Sequence, residues 1–236
     1  MKIEGKNAVL ELLKTDKEID KLLLLKGAEG SLARRVGLPR QKIIRVQFID
    51  ATVLDKESET GRAQGVIAFV SDYEYADLAR LLEPTEGARF VIVCDGIEDV
   101  HNLGSILRVA ECAGADGVII PKNKSAQVTG AVVRISEGAA NHIRVARVPG
   151  VNYAVDELKK NGYWVYALEA EGEDLYSCDL TGDIALVIGG ENSGVGALTK
   201  KKCDKVLSLP LQGKVNSLNA SVALGIAAYE AVRQRR

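Results

Sequence analysis

The sequence predicts an α/β protein in two parts, a small mixed unit followed by a larger, mostly parallel sheet covered on both faces. Three observations carry this. From residue 88 onward, the apolar, β-branched-rich runs FVIVCD, DGVIIP, HIRVARV, YWVYALEA, IALVIGG and KVLSLPL alternate with stretches of helical pattern. Strands alternating with helices imply parallel pairing through crossovers. Residues 1–72 have a shorter, mixed rhythm, and an acidic segment broken by Pro84 and Gly87 separates the two.

In the first part, Ala8, Val9, Leu12 and Leu13 follow helical spacing within Asn7–Lys14, and Ile19–Leu25 reads as a buried strand. SLARRVG fits a short helix ending at Gly37, KIIRVQ a strand, DATVLDKES a helix with Asp50 as N-cap, and QGVIAFVS a further strand. Asp72, Glu74, Asp77, Glu83 and Glu86 crowd the next stretch, so 73–87 is expected to link the small domain, 1–72, to a larger one, 88–236. In the larger part the helical patterns fall at 102–113, 151–161, 194–202 and 217–234.

A chain of 236 residues with 47% hydrophobic and 27% charged residues can bury ordinary cores. A formal net charge of -1 denies it a global basic field, so contact with a nucleic acid would need local patches. Aromatic residues are only 5%, too few for an extended base-stacking platform. Cys94, Cys112, Cys178 and Cys203 form no CxxC pair and only two histidines accompany them, which points to reduced thiols and no metal set. The charged N-terminus lacks a signal-peptide core and no run of about 18 apolar residues follows, so the protein is expected to be cytosolic and unanchored.

Ligands of such sheets sit at the carboxyl ends of the strands. Three loops there concentrate glycine, amide, hydroxyl and charged residues. The first, DGIEDVHNLGSILRVAECAG, places Asn102 as a possible helix cap and Arg108 about 1.7 turns further on. Taken alone, a cap and a solvated arginine explain these residues as well as a site does. The second, ALVIGGENSGVGALTKK, resembles a phosphate-binding turn but fits neither GxGxxG nor GxxxxGK[ST]. Its Glu191 sits where a phosphate would lie, which favours a ligand that is neutral or cationic there, although a plain strand-to-helix turn also fits. The third runs from KVLSLPLQGKVNSLNA into a helix beginning at Ser217 that is apolar on nearly every face to Val232, and is expected to be covered by the sheet and by a second subunit. Ser217, Asn219 and Ser221 are polar residues in its first turns.

In this order and spacing the three loops resemble the signature motifs of the SpoU (TrmH-like) RNA ribose 2'-O-methyltransferases of the SPOUT class. The matching residues are Asn102, Leu103, Gly104 and Arg108; then Gly189, Glu191 and Gly194; then Pro210, Gly213, Ser217, Leu218 and Asn219. GKNAVLELLK and AQGVIAFV are similar to the small substrate-binding domain of the RlmB-like 23S ribosomal RNA guanosine enzymes. The resemblance implies an α/β fold with a deep C-terminal trefoil knot, an L30e/L7Ae-like N-terminal domain, a homodimer, S-adenosylmethionine as cofactor and RNA as partner. It implies catalytic roles for Asn102, Arg108, Glu191, Ser217 and Asn219, with Asn102 and Glu191 holding one another. Cofactor contacts are implied for Leu168, Glu169, Ala170, Gly189, Gly190, Leu209, Leu211, Leu218 and Asn219. RNA contacts are expected from Arg34, Arg35, Arg40, Lys42 and Arg45, and from Arg108, Lys122, Lys124, Arg134 and Arg144. A transfer RNA methyltransferase, and an RNA-binding assembly factor without catalysis, are the alternatives.

Overall fold

The computed structural model describes residues 2–13, 19–27, 45–58, 61–70, 73–190 and 193–236. They divide into two units, Met1–Glu74 and Tyr75–Arg236.

The first unit is a four-stranded sheet of order β1-β4-β2-β3, made of β1 (Lys2–Glu4), β2 (Ile19–Leu25), β3 (Arg45–Ile49) and β4 (Val66–Val70). Strand β4 runs antiparallel to β1 and β2, whereas β2 and β3 are parallel. Helix α1 (Lys6–Leu13) lays Val9, Leu12 and Leu13 on one face, against Leu22, Leu24, Val66 and Ala68. Helix α2 (Ala51–Glu57) sets Leu54 on the other, against Leu23, Ile49 and Ile67. With cover on both sides, β2 reads as an unbroken leucine run. Asp50 stands at the N-cap of α2 without a side-chain cap bond, and its Oδ2 instead accepts from Lys26 Nζ at 3.1 Å. The expected helix 31–37 and the basic residues Arg34, Arg35, Arg40 and Lys42 lie outside the described residues.

The second unit is a seven-stranded, fully parallel sheet of order β7-β6-β5-β10-β8-β11-β9. Its strands are β5 (Phe90–Asp95), β6 (Gly117–Pro121), β7 (Arg144–Val148), β8 (Trp164–Glu169), β9 (Glu173–Asp174), β10 (Ile184–Gly189) and β11 (Lys205–Ser208). The helices are α3 (Leu78–Leu81), α4 (Val100–Cys112), α5 (Gly130–Ile135), α6 (Val151–Lys160), α7 (Ala197–Lys202) and α8 (Ala220–Gln234). Helix α6 buries Val151, Ala154, Val155 and Leu158 against Val91, Val93, Val165 and Val187. On the other face α4 and α8 pack together, with Leu103, Ile106, Leu107, Leu224 and Ala227 all fully buried. Helix α4 also meets α5 at Gly104, where a Cβ would stand 2.5 Å from Ile135 Cγ2.

Much of the segment expected as a linker, 73–87, belongs to the second unit. Ala76 bridges Ala146, the Tyr75 hydroxyl accepts from the Val128 N–H at 2.9 Å, and Leu81 and Leu82 enter the core. Two helix starts also differ from the expectation. Helix α4 begins at Val100, capped by Asp99, whose carboxylate accepts from the His101 N–H at 2.8 Å, so Asn102 lies within the helix. Helix α8 begins at Ala220 with Asn219 as its N-cap, so Ser217 stays in the preceding loop.

Both ends of α8 are tied down. At its C-terminus Gln234 bonds the Leu180 N–H and the Cys178 carbonyl, and Arg235 donates to the carbonyls of Leu180, Gly182, Ala88 and Arg89. The buried Glu230 carboxylate accepts a two-pronged pair from Arg233 at 2.7 and 2.8 Å and a third bond from Gln234 at 2.8 Å. These donors favour the charged form and hold its pKa down at about 2. A lowered folded-state pKa stabilises the protein above the ordinary value of 4.5, and that contribution is lost as pH falls toward 2. Glu230→Gln is therefore expected to lower the unfolding midpoint at pH 7. The gap to wild type should narrow as thermal melts are taken from about pH 5 down to about pH 2.

Candidate active site

The three motif loops meet at the carboxyl ends of β5, β8, β10 and β11. Strand β10 ends in Gly189 and the chain then turns back, with the Gly194 N–H donating to the Gly190 carbonyl at 2.8 Å. Two acids from neighbouring strands hold this turn. Asp95, at the end of β5, takes the Gly190 N–H on its carbonyl and the Gly196 N–H on Oδ2, each at 2.9 Å. Glu169, at the end of β8, takes the Val195 N–H on Oε1 at 2.6 Å and pairs with Lys200 at 3.5 Å. The approach is too close for side chains: a Cβ on Gly190 would lie 2.3 Å from the Gly96 carbonyl oxygen, and one on Gly194 2.7 Å from Glu169 Oε1. Gly194 also has φ +59, the left-handed region that favours glycine.

On one side of the turn lies a cavity of about 540 Å³. Its walls contain all of the residues expected at a cofactor: Leu168, Glu169, Ala170, Gly189, Gly190, Leu209, Leu211, Leu218 and Asn219. Ser217 joins them, and so do Ile188, Ser193, Gly194, Leu207, Ala220 and Ala223, which the motifs alone do not assign to it. Among the described residues the lining carries one carboxylate, that of Glu169, and no lysine or arginine. Apolar walls with a single acid suit a flat apolar group attached to a cationic one, and disfavour a ligand rich in phosphate.

Across the turn is a second cavity of about 510 Å³, which shares Gly190, Ser193 and Gly194 with the first and is lined also by Asp95, Glu98, Asp99, Asn102 and Lys124. Asn102 is buried, and its Oδ1 accepts from Asn219 Nδ2 at 2.9 Å. Asn219 uses its other end to cap α8, Oδ1 accepting from the N–H groups of Ser221 and Val222 at 3.0 and 3.4 Å. One amide therefore joins the last helix to the first motif. Glu191, expected opposite Asn102, lies outside the described residues.

Arg108 is exposed on α4 and has no hydrogen-bonded or ionic partner among the described residues. Arg45, Lys124, Arg134 and Arg144 are exposed as well, with Lys122 half-buried. Beneath the first loop Cys94 is fully buried, which pushes its thiol up to about 12 and removes it as a nucleophile. Cys112 is exposed at the end of α4. Asp95 and Glu98, which line the second cavity, are not among the residues that the motifs name. Asp95 reads as the end of a strand, and its partner Gly196 is 101 positions away.

The match to known families settles the wider kinship. Residues 89–229 match the SpoU rRNA Methylase family, and residues 2–76 match the family of RNA 2'-O ribose methyltransferase substrate-binding domains. The chain belongs to the SpoU family of RNA methylases. It is 42% identical over 236 residues to YacO of Bacillus subtilis, named as a TrmH family tRNA/rRNA methyltransferase, covering 98% of this chain and 94% of that one. A Staphylococcus aureus protein of the same family name is 41% identical over 239 residues, covering 99% and 96%. Among solved structures, the SpoU methyltransferase AviRb from Streptomyces viridochromogenes superposes with TM-score 0.64 at 26% identity, covering 100% of this chain and 89% of that one. AviRb has also been solved in complex with the cofactor AdoMet. The TrmH/SpoU tRNA modifying enzyme of A. aeolicus gives TM-score 0.57 at 28% identity, over 67% of this chain and 80% of that one.

The Asn219 amide makes a discriminating test. Asn219→Asp keeps a good helix cap but sets a carboxylate oxygen against Asn102 Oδ1, where both can only accept. The variant is expected to melt within a few degrees of wild type yet fall at least tenfold in ligand affinity or turnover. Asn219→Ala should lose helix stability as well, by about 1 kcal/mol, in urea unfolding.

Proposed function

We propose that this chain transfers a methyl group from S-adenosylmethionine to the ribose 2'-hydroxyl of a guanosine in 23S ribosomal RNA. The observation that carries the reading is the 540 Å³ cavity, whose walls combine apolar side chains with Glu169 and, among the described residues, hold no cation. When bound, S-adenosylmethionine supplies an electrophilic methyl on a positively charged sulfur, and a lining of this character accommodates both that charge and an apolar adenine face.

The chain's own residues divide the remaining tasks. Gly190, Ser193 and Gly194 line both cavities, so a ribose in the second would approach the first across them. Asn102, buried and oriented by Asn219, positions that ribose, and the family motifs give Glu191 and Ser217 catalytic roles beside it. Alignment of the hydroxyl with the methyl is the larger part of the rate enhancement. Arg108 clamps the adjoining phosphate and stabilises the alkoxide as it forms, because a guanidinium is a poor base but a strong two-pronged donor.

The preference for ribosomal RNA rests on the N-terminal domain and its likeness to the guanosine-specific 23S enzymes. The relatives' names span both tRNA and rRNA, which makes transfer RNA the competing substrate. Family membership also supports a knotted C-terminal threading and a homodimer. Val222, Ile226 and Tyr229 stand on α8 at helical spacing with exposures of 51, 36 and 51%, an apolar stripe suited to a second copy. No helix of the described residues is long and apolar enough to cross a membrane, and we place the activity in the cytoplasm.

Labelled methyl transfer from S-adenosylmethionine to total RNA of a strain lacking the gene, with 2'-O-methyl mapping, tests this directly. The expected product is one new methylated guanosine in large-subunit RNA; a transfer RNA site would replace the substrate assignment, and no transfer to any RNA would contradict the reading. In the same assay Arg108→Lys should lose at least tenfold in turnover with cofactor affinity unchanged, whereas near-wild-type turnover would contradict the clamp.

A further inference from the structure

The second cavity is lined by two opposite charges that the fold does not pair. Glu98 and Lys124 both belong to its lining, and neither has a hydrogen-bonded or ionic partner among the described residues. The other acids of the lining are engaged. Asp95 Oδ2 accepts the Gly196 N–H at 2.9 Å, and Asp99 Oδ1 caps α4 through the His101 N–H at 2.8 Å. Opposite charges that share a cavity without closing into an ion pair leave room for a group between them.

The loop that carries Lys124 is braced. The Ala126 N–H and the Ser125 hydroxyl both donate to the Ile97 carbonyl, at 2.7 and 3.3 Å, and Gln127 Nε2 donates to the Pro121 carbonyl at 3.1 Å. Lys124 itself has φ +53, in the left-handed region that residues with side chains seldom adopt. Such a conformation persists where the surroundings over-determine it, and it clusters at active sites and ligand clamps. Ile97 directly precedes Glu98, so the two bonds to its carbonyl hold the loop of the cation against the loop of the acid.

Guanine is the base whose edge matches this pair. Its Watson–Crick edge presents O6 as an acceptor and then two adjacent donors, N1–H and the N2 amine, and no other standard RNA base sets two donors side by side. A carboxylate accepts from both donors at once, while an ammonium donates to O6. We propose that Glu98 and Lys124 select the target base, Glu98 accepting from N1–H and the N2 amine of guanine and Lys124 donating to its O6. The proposal rests on the methyltransferase reading above and adds to it the groups that distinguish one base from another. Ile97, Pro121 and Pro149 line the same cavity and give the base apolar walls. The cavity, about 510 Å³, falls within the range of roughly 300–1,000 Å³ typical of small-ligand pockets. A base enters it by splaying out of its stack, the state in which RNA sequence is read. A wrong base leaves Glu98 facing an acceptor or Lys124 facing a donor, which is the costly kind of mismatch.

The test uses the full chain, labelled S-adenosylmethionine and an RNA transcript spanning the site mapped from total RNA, made with guanosine, inosine or adenosine at the target. Wild type should lose at least tenfold in kcat/KM on inosine, which lacks the N2 amine, and more on adenosine. Glu98→Gln should lose at least tenfold on the guanosine RNA and distinctly less on the inosine RNA, the coupling expected of two groups in contact. Lys124→Met should also lose at least tenfold on guanosine and narrow the preference over adenosine, which has no O6. Both variants should keep the S-adenosylmethionine affinity and melting midpoint of wild type, since neither side chain has a partner to lose. Wild-type turnover of both variants on guanosine would overturn the proposal and leave the methyltransferase reading standing. Equal proportional losses on all three RNAs would assign the two residues to the sugar–phosphate backbone, which also overturns it. A mapped site at a base other than guanine would overturn it as well, and no transfer to any RNA would overturn both readings.

Discussion

Two carboxylates pinning one glycine turn are the constraint on which the site depends. Asp95 and Glu169, from the ends of the two strands that flank β10, accept the Gly196 and Val195 N–H groups and hold the turn at the carboxyl end of the sheet. Charge-assisted bonds of this type are about twice as strong as neutral ones, and Val195 is buried, so an unmet donor there would be costly. Because Gly190, Ser193 and Gly194 line both cavities, the same clamp shapes two compartments at once. A displaced turn would merge or close them.

The second tie runs through α8. That helix is held at its C-terminus by Gln234 and Arg235 and at its N-terminus by the Asn219 cap, so its first turn is a fixed reference point beside the cavity. The amide of Asn219 passes this position on to Asn102. Charge is partitioned accordingly. Apolar groups and Glu169 line the compartment assigned to a cationic cofactor, while cations assigned to RNA, among them Arg108 and, in the other unit, Arg45, stand on exposed surfaces. A chain of net charge -1 can serve an anionic substrate only by such local separation.

Much of this was legible from the sequence because a parallel sheet buried on both faces leaves continuous apolar runs, and FVIVCD, IALVIGG and YWVYALEA are of that kind. Elements without that signature were not. KIE and ED are too short to show a period, and GAVVRI, rich in β-branched residues, forms α5 through the Thr129 cap and its packing near Gly104. Helix starts shifted where two cap-forming residues compete: Asp99 precedes Asn102, and Asn219 follows Ser217. Cavity residues came from the family motifs, whereas Asp95 escaped because its role is set by a partner far along the chain. Propensity and spacing cannot report a contact of that range.

The most direct measurement is calorimetric binding of S-adenosylmethionine to Asp95→Ala. Asp95 lines the second cavity and not the first, so it reaches the cofactor compartment only by holding the turn. The account predicts affinity about tenfold weaker than wild type, equivalent to about 1.4 kcal/mol, in a protein that remains folded. Wild-type affinity in that variant would contradict it.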